Sequence, residues 1–214
     1  MTSVPYDAWL HWVVNDVCNL ACPYCSAGNS WKYDTYAPID IDTFLQSIER
    51  TGKTFLVRFT GGGEPFLTRN LPELCLRLAE RHYLAFNTNL IPARARQLFS
   101  QLSPDRVDNL HCSVHFAELE RQDLHARFID TAQMVMARGF NTTFAAVAYP
   151  GHRDRLPQWI DMYRSHGIRI ILAPFNGEWD GKTYPQSYSE DDIRYYGFGK
   201  RAHYFQAPGA SADG

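Results

Sequence analysis

No apolar run in these 214 residues approaches the ~18 that a membrane span requires. The N-terminus, Met1-Thr2-Ser3-Val4-Pro5-Tyr6, has neither a basic patch nor an apolar stretch, so no secretory signal is read there. An excess of one charge is also missing. The 21 basic and 23 acidic side chains leave a formal charge of −2, which argues against a protein that holds nucleic acid through its phosphates. Cysteine is scarce, with five in all. An odd count with a cluster of three does not build a disulfide framework. Grouped thiols without an export signal predict a reducing compartment, the cytoplasm. No repeat is visible beyond a strand–helix unit. The length and a 45% hydrophobic fraction allow one domain of ordinary to large size.

What is present alternates. Apolar, β-prone runs are read as strands at Ala8–Val14, Thr54–Thr60, Tyr83–Leu90, Arg106–Phe116, Phe140–Tyr149 and Ile168–Phe175. Between them, helical spacing predicts a helix capped by Asp40 with Ile41, Phe44, Leu45 and Ile48 on one face, ending at Gly52. Further helices are read from Asn70 as cap through Leu78, over Ala93–Leu102, as one long helix over Glu118–Arg138, and over Arg155–His166. Six strands alternating with helices imply a parallel α/β sheet. They are too few for a closed barrel of this kind, so an open, partial (β/α)6 barrel is expected, with functional groups at the C-terminal ends of its strands. The expected division is a core over 1–176 and a tail over 177–214. Ser189-Glu190-Asp191-Asp192 predicts a capping box for one short helix in the tail; the part after about Gly199 is expected to be mobile, and its last stretch, Ala207–Gly214, disordered.

Three of the cysteines share one loop, Cys18-Asn-Leu-Ala-Cys22-Pro-Tyr-Cys25. Soft thiolates select iron–sulfur clusters, zinc or Cu(I). Structural zinc takes four protein ligands, commonly in two pairs. Here no second pair exists, and His11 on the preceding strand is the one candidate for a fourth ligand. Three thiolates are one short of closing a [4Fe–4S] cluster, which leaves one iron open. Cys75 and Cys112 lie in apolar, regular segments and read as small buried hydrophobes. A second motif, Thr60-Gly61-Gly62-Gly63-Glu64-Pro65, follows the second strand directly. Glycine there permits close approach of the backbone to a ligand. Asn87 and Asn89 share a face at the end of the third strand, and Ser113 and His115 share one at the end of the fourth.

The C-x3-C-x2-C loop, the aromatic Tyr24 before its last cysteine and the Gly-Gly-Glu-Pro turn together resemble the radical S-adenosylmethionine (SAM) enzymes. The resemblance covers roughly residues 8 to 176. It implies the partial barrel, a [4Fe–4S] cluster on Cys18, Cys22 and Cys25, and SAM chelated to the open iron. It further implies Tyr24 beside the adenine, Gly62, Gly63 and Glu64 at the ammonium, and Asn89, Ser113 and His115 near SAM. This chain has Leu90 where the family often has glycine after Thr-Asn, and no glycine motif on its fifth strand. The implied activity is reductive cleavage of SAM to a 5′-deoxyadenosyl radical that takes hydrogen from a substrate. An external one-electron donor such as flavodoxin or ferredoxin would supply the electron. The substrate is expected to be a small molecule. The alternatives are a peptide- or protein-modifying core lacking its auxiliary-cluster domain, a cluster protein that binds SAM without catalysis, and a structural zinc module. Membrane and nucleic-acid partners are not expected.

Overall fold

The computed structural model describes residues 5–25, 38–60 and 62–199. Six parallel strands form one sheet in chain order: β1 (Ala8–Trp12), β2 (Phe55–Phe59), β3 (Tyr83–Thr88), β4 (Val107–Ser113), β5 (Thr142–Ala148) and β6 (Ile170–Pro174). Among the described residues β1 and β6 each pair on one side only, so the barrel is open. Helices α1 (Ile41–Glu49), α2 (Leu71–Leu78), α3 (Ala93–Gln101), α4 (Phe116–Arg121), α5 (His125–Ala137) and α6 (Leu156–Ser165) connect the strands.

Alternation along the strands separates two faces. Val57, Phe59, Leu84, Phe86, Leu110, Cys112 and Phe144 point at the helices and join the main hydrophobic core. There Phe59, Phe66, Phe86 and Phe99 form a chain of rings with centroids 5.2 to 5.7 Å apart, an arrangement that adds about 0.5–1.5 kcal/mol per pair beyond burial. Cys75 and Cys112 are fully buried, as expected of small hydrophobes. The opposite set, including Trp9 and His11 on β1, Arg58 on β2 and Ile171 on β6, lines the concave face. At the lips of the opening Trp9 and Ile171 remain 68% and 45% exposed.

Local chemistry explains the helix boundaries. Asp40 caps α1 as expected, its Oδ1 accepting from Thr43 N at 3.0 Å. Asn70 does not cap α2. Its amide instead brackets Ile39, accepting from Ile39 N at 3.1 Å and donating to Ile39 O at 2.8 Å. The expected single helix over Glu118–Arg138 is two, α4 and α5. Asp123 takes a left-handed φ of 55°, a conformation Asp tolerates better than most residues. Leu124 N then bonds back to Leu119 O at 2.8 Å. The break lets α4 lie against the cysteine loop while α5 buries Phe128, Ile129, Ala132 and Val135.

The tail adds a hairpin that the sequence reading did not include, β7 (Gly177–Trp179) with β8 (Lys182–Tyr184), and the expected capped helix α7 (Glu190–Tyr195). Asp180 and Gly181 both have positive φ, 50° and 69°. That is the Asp-Gly signature of a tight hairpin. The stretch expected to be disordered, Ala207–Gly214, and the residues from 200 on expected to be mobile lie outside the described ones. Tyr184, Tyr188, Tyr196 and Phe198 join the main core, so the described tail packs onto the barrel. Tyr188 does so with its hydroxyl too, donating to Ala148 O at 2.6 Å and accepting from Phe175 N at 2.9 Å. Tyr188→Phe leaves both backbone groups buried without that partner and is expected to cost about 2 kcal/mol, read from the urea midpoint of the metal-free protein. An unchanged midpoint would mean that the tail is not held by this contact.

Candidate active site

The site begins with two backbone segments that nearly touch. After β1 the chain runs irregularly from Val13 to Cys25, and the glycine turn after β2 lies against it. Gly63 N donates to Asn15 O at 3.0 Å and Glu64 N to Val17 O at 2.8 Å, continuing the β1–β2 pairing past the end of the strands. A Cβ on Gly63 would stand 1.9 Å from Val17 O, and one on Gly62, whose φ is 59°, would stand 2.5 Å from Asn15 O. The glycines are thus required by this approach whatever ligand they also meet. Asn15 is buried and locks the junction: its Nδ2 donates to Glu64 O at 3.0 Å and to Thr68 Oγ1 at 2.8 Å, and its Oδ1 accepts from Val17 N at 3.0 Å. Sequence reasoning missed Asn15. The available signal was an Asn-Asp pair just past an apolar strand.

Glu64 is 2% exposed. Its Oε1 accepts from Phe66 N at 3.1 Å and Thr88 Oγ1 at 2.8 Å, and its Oε2 from Asn89 N at 2.7 Å. Burial pushes its carboxyl up to about 7, while the Asn89, Thr88 and Phe66 donors pull the other way. Three of the roughly four acceptor positions of a carboxylate are therefore taken up by this chain's own donors. Glu64 links the glycine turn to the end of β3. Leu90 has a φ of 59° and is fully buried. It adopts the left-handed conformation that glycine would supply, at a cost of about 1–2 kcal/mol.

The expected site residues come together. Cys18, Cys22, Cys25, Tyr24, Gly62, Gly63, Glu64, Asn89, Ser113 and His115 all line one cavity of about 300 Å³ at the C-terminal ends of the strands, a size suited to a small organic molecule. Leu20, Thr60, Asn87, Thr88 and Val147 complete it. Asn89 donates to Asn19 Oδ1 at 2.9 Å and reaches Cys18 Sγ at 4.0 Å. The Tyr24 hydroxyl and His115 Nδ1 share a hydrogen bond of 3.2 Å, with the rings stacked at 6.0 Å. Burial drives the His115 imidazole down to about 4, with Glu118 acting against it, so the ring is neutral at pH 7.

The donor set fits an iron–sulfur cluster better than a single ion. All three cysteines are free thiols. Burial raises Cys18 to about 11 and Cys22 to about 12, so a metal bound there would have to displace their protons. Among the described residues no three His, Cys, Asp or Glu side chains converge on a point that could hold one metal ion. A cluster takes each of three thiolates on a different iron, and three thiolates are what this loop offers. His11, the candidate fourth zinc ligand, is absent from the cavity wall, its ring stacked on Trp9 at 6.5 Å.

Two substitutions test this geometry. Gly63→Ala is expected to break the loop pairing and abolish iron uptake while far-UV circular dichroism keeps the α/β signature. Glu64→Ala strips buried donors of their acceptor and is expected to destabilise the metal-free protein by on the order of 3 kcal/mol. A carboxylate serving only a bound amine would leave that stability untouched.

The model of the radical SAM superfamily matches residues 12–162. The PqqA peptide cyclase of Xanthomonas euvesicatoria pv. vesicatoria (strain 85-10) is 27% identical over 183 residues, covering 75% of this chain and 46% of that protein. That of Methylocella silvestris is 26% identical over 166 residues, covering 72% and 43%. The chain thus spans about half the length of these curated relatives. Among solved structures, native anSMEcpe with bound AdoMet aligns at a TM-score of 0.64 with 15% identity, covering 88% of this chain and 57% of that one. Streptococcus suis SuiB bound to S-adenosylmethionine aligns at 0.58 with 15% identity, covering 92% and 47%. A family match over most of its length, on the fold and motifs described, makes this chain a member of the radical SAM superfamily, whose enzymes use a [4Fe–4S] cluster and SAM.

Proposed function

We propose that this chain is the SAM-cleaving core of a peptide-modifying radical SAM enzyme. The observation that carries the reading is the single cavity shared by the three motif cysteines, the glycine turn and the ends of β3 and β4. When bound, the cluster and SAM supply reductive scission of SAM into methionine and a 5′-deoxyadenosyl radical. The chain's own part is positional. Cys18, Cys22 and Cys25 would hold the cluster. Gly62 and Gly63 bring backbone, rather than side chain, to the cavity wall. Tyr24, steadied by His115, offers a flat aromatic face. Ser113 and Asn89 offer polar groups for the carboxylate and ribose of SAM. Glu64 serves chiefly by holding Asn89 and the turn, with one acceptor position left for the ammonium.

Of the two substrate classes expected, relatives favour the peptide. Those named above are PqqA peptide cyclases, and solved neighbours include SuiB bound to precursor peptide SuiA and anSMEcpe with the Cp18Cys peptide. The concave face supports it. β1 and β6 leave the barrel open, with exposed Trp9 and Ile171 at its lips, so an extended chain has a lateral entry that a closed barrel would deny. An external one-electron donor such as flavodoxin or ferredoxin fits the same scheme.

Anaerobic reconstitution is expected to give about four irons per chain, and incubation with SAM and dithionite to release 5′-deoxyadenosine. Replacing Cys18, Cys22 and Cys25 by Ala should remove both. One zinc per chain with no capacity for iron would overturn the reading. The peptide assignment is checked by mass spectrometry of peptides encoded next to this chain: loss of hydrogen from one of them, dependent on SAM and the cluster, is expected.

A further inference from the structure

The helix that follows β4 grips the cysteine loop from the side opposite the glycine turn. β4 delivers His115 to the cavity, and α4 starts one residue later. Its first turn carries Glu118 back over the loop, where Oε2 accepts from Ala21 N at 2.9 Å. Ala21 immediately precedes Cys22. One turn on, Gln122 Nε2 donates to Asn19 O at 3.2 Å and to Glu118 Oε2 at 3.4 Å. Arg121 closes the outer side, its Nε 3.1 Å from Oε1 and its Nη2 2.8 Å from Oε2. Glu118 is 7% exposed, whereas the Arg121 side chain is 58% exposed. The carboxylate is thus fixed on the loop while its counter-cation sits in water. The paired Arg121 holds the Glu118 carboxyl below the usual carboxylate range, so it is an anion at neutral pH.

Two physical consequences follow for a cluster bound at Cys18, Cys22 and Cys25. Reduction potentials of iron–sulfur centres depend on nearby charge and on hydrogen bonds to the sulfurs. Glu118 places a buried negative charge beside Cys22 and draws the Ala21 amide to itself, away from the cluster sulfurs. Both effects disfavour adding an electron. Both also suit a centre that must be strongly reducing.

We propose that Glu118 is a positioning residue for the cluster, holding the cysteine loop through the Ala21 amide and lowering the cluster's reduction potential with its fixed charge. The proposal rests on the cluster reading of the site. It assigns a role to a residue outside the cysteine and glycine motifs, which sequence reasoning treated only as the start of a helix.

The test uses reconstituted protein and needs no substrate. Midpoint potentials are read by redox titration followed by electron paramagnetic resonance, and iron loss by transfer to a chelator. Glu118→Gln keeps an oxygen acceptor for Ala21 and removes the charge, so its midpoint is expected to rise with iron loss near wild type. Glu118→Ala removes both and is expected to lose iron roughly tenfold faster, the worth of a charge-assisted hydrogen bond. Arg121→Gln, at an exposed position that endangers folding little, leaves the anion uncompensated, and its midpoint is expected to fall. Opposite shifts in Glu118→Gln and Arg121→Gln are what a merely structural clamp would not produce. Wild-type midpoints in both variants would overturn the electrostatic role, and wild-type iron loss in Glu118→Ala would overturn the positioning role. Failure of the wild-type protein itself to bind iron would instead sink the cluster reading.

Discussion

The contact on which the rest of the site depends is the approach of two backbone segments, the glycine turn after β2 and the loop that leads into the cysteines. Gly63 N and Glu64 N donate to Asn15 O and Val17 O, and at this separation no side chain fits on Gly63. Motifs some forty residues apart in the chain thereby become one rigid piece. Had either been free, the cysteines would hang from a loop with no fixed relation to the cavity wall. The parallel sheet makes the approach possible. β1 and β2 pair in register up to Trp12 and Phe59, and the two segments leave the sheet side by side.

Glu64 extends that rigid piece across the sheet. A buried carboxyl is costly unless it is hydrogen-bonded, and here it finds Thr88 and Asn89 at the end of β3 and Phe66 beyond the turn. Asn89 in turn reaches Asn19 inside the cysteine loop. A closed circuit results: turn to β3, β3 to cysteine loop, cysteine loop to turn. On the far side Glu118 and Gln122 hold the same loop from α4. The loop's few regular contacts are thus replaced by side-chain and backbone anchors on three sides, which fixes in place the cysteines proposed to hold the cluster.

The tail belongs to the same logic of closure. Six strands leave two open edges, and the end of β6 would be bare without a cover. Tyr184, Tyr188, Tyr196 and Phe198 supply apolar surface there, and the Tyr188 hydroxyl satisfies backbone groups next to β5 and β6. Among the described residues β1 and β6 do not pair with each other, and apolar side chains stand at these two edges.

Much of this was legible from residues alone. The alternating apolar runs gave six strands and their helices. The cysteine spacing and the glycine turn identified the family and its cofactors, because thiolate chemistry and close backbone approach each demand particular residues at particular spacings. Local signals also carried the Asp40 cap and the Ser189 capping box, and Asp180-Gly181 held an unread hairpin. What residues alone did not decide was how each side chain divides its loyalties. Glu64 was legible as a motif acid, but only the fold turns it toward Thr88 and Asn89. The break at Asp123 was invisible, since the helical pattern runs through it and a left-handed turn there gains only from where α4 must lie. Asn15 and Glu118 carried no motif. Their partners, Thr68 and Ala21, are 53 and 97 residues away, and hydrogen bonds between groups so distant in sequence leave no periodicity to read. The chemistry of the ligands was written locally; their placement is a property of the tertiary contacts, because only the folded sheet brings those distant groups within reach.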